Sequence, residues 1–93
     1  MNIQEETTMA EITRDITVGL KEGLEPRKTA ELVQLVCRFR TEKITIDYND
    51  KSINPKSLMS AMYLAAPTGT VFHVKVEGPE AEAAFNAIER FLA

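Results

Sequence analysis

The chain carries a single histidine, His73, and a single cysteine, Cys37, and these two bound its chemistry. A transition-metal site draws on several imidazole or thiolate ligands, so one of each gives little to build with and no metal site is expected. A Cys–His nucleophile pair needs an exposed thiolate beside its base. Cys37 instead falls in an apolar helical stretch and is expected as a small core hydrophobe. His73 alternates with buried-type residues and is expected on an exposed sheet face beside Lys75. No glycine-rich phosphate loop, no carboxylate pair with a partner base and no His-x-x-Glu spacing occurs. Composition and spacing define no enzyme, and they imply no cofactor.

Two other polar residues sit where helices start. Ser57 precedes a run from Leu58 to Ala66, the place of an N-cap whose oxygen accepts an orphan backbone N–H. The same place would offer a phosphate group free N–H donors and the positive end of the helix dipole. Glu25 precedes Pro26, where an exposed anion is favourable by about 0.3–1 kcal/mol. The run after Ser57 is apolar nearly all round, which means either full burial or a face kept for a partner. Leu58, Ala61 and Leu64–Ala65 can face a sheet, leaving Met59 and Met62 elsewhere. Methionine fills core gaps and also suits adaptable contact surfaces, and spacing alone leaves both readings open.

The elements that must position these residues follow from hydrophobic period. Ile12, Arg14, Ile16 and Val18 alternate with polar residues as a strand. Gly19 to Glu25 forms a loop, and Pro26 starts a helix, since its missing N–H costs nothing in the first turn. Leu32, Leu35, Val36 and Phe39 follow at helical spacing. Ile44, Ile46 and Tyr48 make a second strand, Asn49-Asp50 a turn, and Lys51 to Ile53 a short returning strand. A short helix from Ser57 must stop by Pro67-Thr68-Gly69. Phe72, Val74 and Val76 mark a last strand, and Gly78-Pro79-Glu80 leads into a helix with Ala81, Ala84, Phe85, Ile88 and Leu92 on one stripe. Each strand has one apolar face, so the helices should cover one side of the sheet. The expected fold is α+β: an open-faced β-sandwich of order β-α-β-β-α-β-α, with a four-stranded antiparallel sheet and three helices on one face.

The 93 residues allow one domain, read as 11–93, with 1–10 as a tail or an extension of the first strand. No apolar run approaches the ~20 residues needed to span a bilayer, and no membrane partner is expected. The opening residues carry acid where a signal peptide carries Lys or Arg, so the expected location is cytoplasmic. The net charge of −3 argues against direct nucleic-acid binding. Residues 25–56 nevertheless hold seven bases and five acids, so an anionic partner is expected to meet that third of the chain.

Two stretches carry a resemblance. Gly23-Leu24-Glu25-Pro26-Arg27-Lys28-Thr29-Ala30 is similar to the active-site stretch of HPr, the phosphocarrier of the bacterial sugar phosphotransferase system, which usually reads Gly-Leu-His-Ala-Arg-Pro-Ala. Asn54-Pro55-Lys56-Ser57-Leu58-Met59 resembles that family's regulatory-serine motif, Asn-Ala-Lys-Ser-Ile-Met. Ala65-Ala66, Gly69-Thr70 and Glu77-Gly78 also match, so the likeness runs from about Thr13 to Leu92, and its element order is that of HPr. Glu25 stands where the family has its phosphohistidine, Lys28 replaces a proline, Pro55 departs just before the serine, and Ser60 replaces a usual glycine.

The resemblance implies an interaction protein of the catabolite-repression HPr-like (Crh) kind, which also lacks the histidine. An HPr kinase/phosphorylase would modify Ser57 with ATP, and a catabolite-control transcription regulator would then dock. The implied contact consists of Ser57, Arg27, Lys28, Lys56, Leu58, Met59 and Met62. Glu25 is read as a helix N-terminal charge in preference to a permanent imitation of phosphohistidine. Two alternatives remain: an atypical phosphocarrier using Glu25, and an HPr-fold module for an unrelated partner.

Overall fold

A computed structural model describes residues 10–93. Of residues 1–10, read as a tail or strand extension, 1–9 lie outside the described residues. Strand β1 spans Ala10–Thr17, helix α1 Pro26–Val36, β2 Lys43–Tyr48 and β3 Lys51–Ile53. Helix α2, Leu58–Ala61, runs on into a 3-10 turn at Met62–Leu64; β4 spans Val71–Gly78 and α3 Ala81–Leu92. The four strands form one antiparallel sheet in the order β1-β4-β2-β3, so the α+β open-faced sandwich holds, with three helices on one side.

Register follows from the alternation. Ile16 faces Phe72, Ile44 faces Val76 and Ile46 faces both Val74 and Ile53, which gathers the branched side chains on one face. These residues pack against Leu32 and Val36 of α1, Ala61 and Leu64 of the α2 segment, and Ala84, Phe85, Ile88 and Leu92 of α3, all 3% exposed or less. Arg14 shares the apolar register of β1 but lies on an edge strand. Its guanidinium sits 5.3 Å from the Phe85 ring centroid, so the stem covers the core while the charge reaches water. The β2–β3 turn takes positive φ at Asn49 (58°) and Asp50 (63°), the pairing that a tight antiparallel hairpin requires.

The other sheet face is open and polar. His73 pairs with Asp15 across β1 and β4, and Ser52 donates to Asp47 at 2.8 Å. The Lys75 ammonium lies 3.1 Å from Glu77 and 3.7 Å from Glu11. The Glu77 hydrogen bond, followed by the Glu11 charge, holds Lys75 above its ordinary 10.5. A raised ammonium pKa adds stability that is complete below that ordinary value and lost as pH rises through the raised one.

The expectation of Cys37 as a core hydrophobe is corrected. Cys37 is exposed and is the C-cap of α1, its backbone N–H donating to Val33 at 3.0 Å. The helix buries Leu32 and Val36, and a residue one step beyond Val36 turns about 100° away from that stripe. Phe39 still packs against the core, but from the turn after the helix. The second helix is also shorter than its apolar run, because α-geometry gives way to a 3-10 turn at Met62.

Candidate functional site

Glu25 sits at the head of α1 in extended backbone, with Pro26 at the first helical position. Its Oε1 accepts the N–H of Arg27 at 2.6 Å and that of Lys28 at 3.2 Å. Two of the helix's orphan donors are thereby satisfied by one carboxylate oxygen placed at the positive end of the dipole. Arg27 is exposed, and among the described residues its guanidinium makes no ion pair. Lys28 reaches Glu31 at 3.6 Å and lies 6.0 Å from the Phe91 ring centroid. The loop before Glu25 is held by a short bridge to the end of the α2 segment: Leu24 N–H donates to the Ala66 carbonyl at 2.8 Å.

Ser57 caps α2. Its Oγ accepts the Ser60 N–H at 3.4 Å, a long bond, and the residue is half-buried. The turn that presents it is tied down on several sides. Asn54 takes the Lys56 N–H on its side chain at 3.0 Å and the Ser57 N–H on its carbonyl at 3.1 Å, and Pro55 is buried. Lys56 does not stand free beside Ser57. Its ammonium donates to the carbonyls of Phe39 at 2.6 Å and Glu42 at 2.5 Å, and its own carbonyl accepts the Cys37 thiol at 3.5 Å. Lys56 therefore joins the serine turn to the chain leaving α1, where cations are favoured by unsatisfied carbonyls. Lys56→Met keeps the stem and removes the donors, and is expected to cost about 1–2 kcal/mol. Urea unfolding checks the cost, and loss of protection at the Ser57 amide in hydrogen exchange checks the place.

The Leu24–Ala66 bridge at one end and the Lys56 tether at the other set α1 antiparallel to the α2 segment. Glu25 and Ser57 thus lie at opposite ends of that segment, separated along it by roughly 12 Å at 1.5 Å per helical residue. Between them the surface is apolar: Leu58 is 52% exposed, Met59 83%, Met62 48% and Tyr63 63%. Leu58 and Ala65, for which the spacing allowed a place against the sheet, are both exposed, Leu58 alongside the two methionines. Ala61 and Leu64, fully buried, hold the segment down from the other side. Tyr63 was not singled out by sequence reading, because the hydrophobic pattern carries no sign of which apolar residue is left outside. The same holds for Glu42, 3% exposed, whose carboxylate accepts the Glu80 N–H at the start of α3.

Among the described residues, no three His, Cys, Asp or Glu side chains gather closely enough to hold a metal ion. No helix among them is long and apolar enough to cross a membrane. The described residues thus place two helix starts at either end of an exposed apolar face on an open-faced sandwich. The family model described as the PTS HPr component phosphorylation site matches residues 12–93. The chain is 36% identical over 77 residues to the phosphocarrier protein HPr of Xylella fastidiosa, covering 83% of this chain and 85% of the relative. It is 35% identical over 81 residues to the HPr-like protein Crh of Halalkalibacterium halodurans, covering 87% and 95%. The crystal structure of HPr from Bacillus anthracis superposes with a TM-score of 0.83 at 36% identity, covering 90% of this chain and 99% of that one. The chain belongs to the HPr family of the phosphotransferase system, in which the Xylella fastidiosa relative is a phosphocarrier protein.

Proposed function

We propose that this chain is a regulatory interaction protein of the HPr family, switched by phosphorylation of Ser57 and carrying no phosphate at position 25. The observation that carries the reading is the contrast between its two helix starts. At Glu25 the carboxylate is already spent on two backbone N–H groups, 2.6 and 3.2 Å away, so the seat that an incoming phosphate needs is filled by the chain itself. At Ser57 the hydroxyl makes one long bond and borders an exposed apolar face. In the modification, Ser57 Oγ attacks the γ-phosphorus of ATP, its proton passes to a base on the kinase, and ADP leaves. The new dianion meets the N–H groups that open α2. An HPr kinase/phosphorylase is the modifying enzyme of this reading, and a catabolite-control transcription regulator is the reader. Arg27, Lys28, Leu58, Met59 and Met62 supply its contact, and Lys56 acts by holding the serine turn. This traffic belongs to the cytoplasm.

The test is intact-mass measurement and peptide mapping after incubation with ATP and the host's HPr kinase, with a known HPr in the same tube. One phosphate on Ser57, absent in Ser57→Ala, is the expected result. An unmodified chain beside a modified control sinks the serine switch and leaves a binding module with both sites silent. Incubation with phosphoenolpyruvate and enzyme I is expected to leave Glu25 unphosphorylated; a labile phosphate there would establish the carrier alternative instead.

A further inference from the structure

The exposed apolar surface does not end with the residues of the serine motif. Tyr63 carries it from Met62 towards the β2–β3 hairpin, and the Lys51 ammonium lies 5.2 Å from the Tyr63 ring centroid. An ammonium over an aromatic face is drawn by the ring's quadrupole, so each side chain limits the freedom of the other. Lys28 and Lys75 have carboxylate partners, whereas Lys51 makes no ion pair among the described residues. Its ammonium lies against Tyr63, one wall of a hollow of about 400 Å³ lined by Met59, Ser60, Met62 and Tyr63. An apolar hollow with a cation beside its aromatic wall rejects a basic neighbour and suits an apolar side chain accompanied by a carboxylate.

We propose that Tyr63 and Lys51 form a specificity subsite at the hairpin end of the docking face, taking an apolar side chain with an Asp or Glu beside it on the partner protein. This rests on the reading of the α2 surface as the docking face and adds a direction to it. A partner that reads phosphorylated Ser57 must bring cations to that end of the segment. The same partner must bring a carboxylate to Lys51 at the other end, with apolar contact between. A surface of uniform charge does not satisfy both.

The test is calorimetric titration of the host's catabolite-control regulator with the Ser57-phosphorylated chain, comparing wild type with Tyr63→Ala, Tyr63→Phe, Lys51→Glu and Met59→Ala. Tyr63→Ala is expected to raise Kd by roughly 10- to 100-fold, the range of an interface aromatic anchor. Tyr63→Phe keeps the ring and is expected to stay within about twofold of wild type. Lys51→Glu is expected to weaken binding and to make added salt less damaging than it is to wild type. Wild-type affinity in Tyr63→Ala and Lys51→Glu, with Met59→Ala weakened, overturns the subsite and leaves the docking face standing. A regulator that binds none of them, wild type included, overturns both.

Discussion

Gly23→Ala is expected to destabilise the fold by about 2–5 kcal/mol and to loosen the Glu25 end of the site. Gly23 has φ of 74°, a left-handed conformation that costs a residue with a Cβ about 1–2 kcal/mol. There is also no room for the methyl. A Cβ there would run into the Ala66 carbonyl and come within 2.9 Å of the Pro67 Cα and 3.1 Å of the Thr68 nitrogen. All three belong to backbone, which cannot swing aside as a side-chain tip can. Overpacking of this kind adds about 1–3 kcal/mol.

The displaced segment is the one that matters for function. Leu24, next in sequence, makes the bridge to Ala66, and Glu25 follows it into α1. Pushing the two segments apart breaks the Leu24–Ala66 hydrogen bond at 2.8 Å and lets the Glu25 carboxylate drift from its two N–H donors. Urea unfolding measures the loss. Amide exchange should locate it at Leu24, Arg27 and Lys28, with the sheet amides of β4 retaining their relative protection. A uniform loss of protection, or a loss below about 1 kcal/mol, would contradict this account.

The sheet and its one-sided cover were legible because period two and period 3.6 are local signals, and Ile44-Ile46-Tyr48 or Phe72-Val74-Val76 can hardly sit otherwise. The pattern misled at the ends of elements, where phase is lost. Cys37 lies one residue past the last buried turn, and Leu58 opens a helix too short to establish a phase of its own. Ser57 and Glu25 were legible as helix starts, since capping is a local matter of one side chain and the following amides. What the sequence withheld were contacts between residues far apart along it. Lys56 is a cation beside a serine on paper, and a tether 17 residues back to Phe39 in space. The Lys51–Tyr63 pair and the burial of Glu42 are of the same kind. No spacing rule links a hairpin lysine to a tyrosine beyond the next turn.

Glu42→Ala is expected to cost about 2–4 kcal/mol, which is large for an acidic residue in a strand-entry loop. Glu42 is 3% exposed. Its Oε2 accepts the Glu80 N–H at 2.7 Å, and both oxygens lie 2.9 Å from the Thr41 hydroxyl. Glu80 opens α3, its own side chain makes no capping bond, and its N–H is taken by a carboxylate 38 positions earlier. Truncation leaves the Glu80 donor without a partner and opens space beneath it; a part-buried hydrogen bond to a charged acceptor is worth about 1.5–3 kcal/mol by itself. Gly78 makes the approach possible, because a Cβ at that position would stand 2.8 Å from Oε2 and 2.9 Å from the Glu42 Cγ. Glu42→Gln retains an acceptor oxygen and should recover roughly half the loss. Gly78→Ala should itself destabilise, and the two substitutions should be less than additive, since either one alone removes the same seat. Thermal unfolding of Glu42→Ala, Gly78→Ala and the double variant decides it. Strict additivity would mean that Glu42 and the head of α3 are not coupled through this carboxylate.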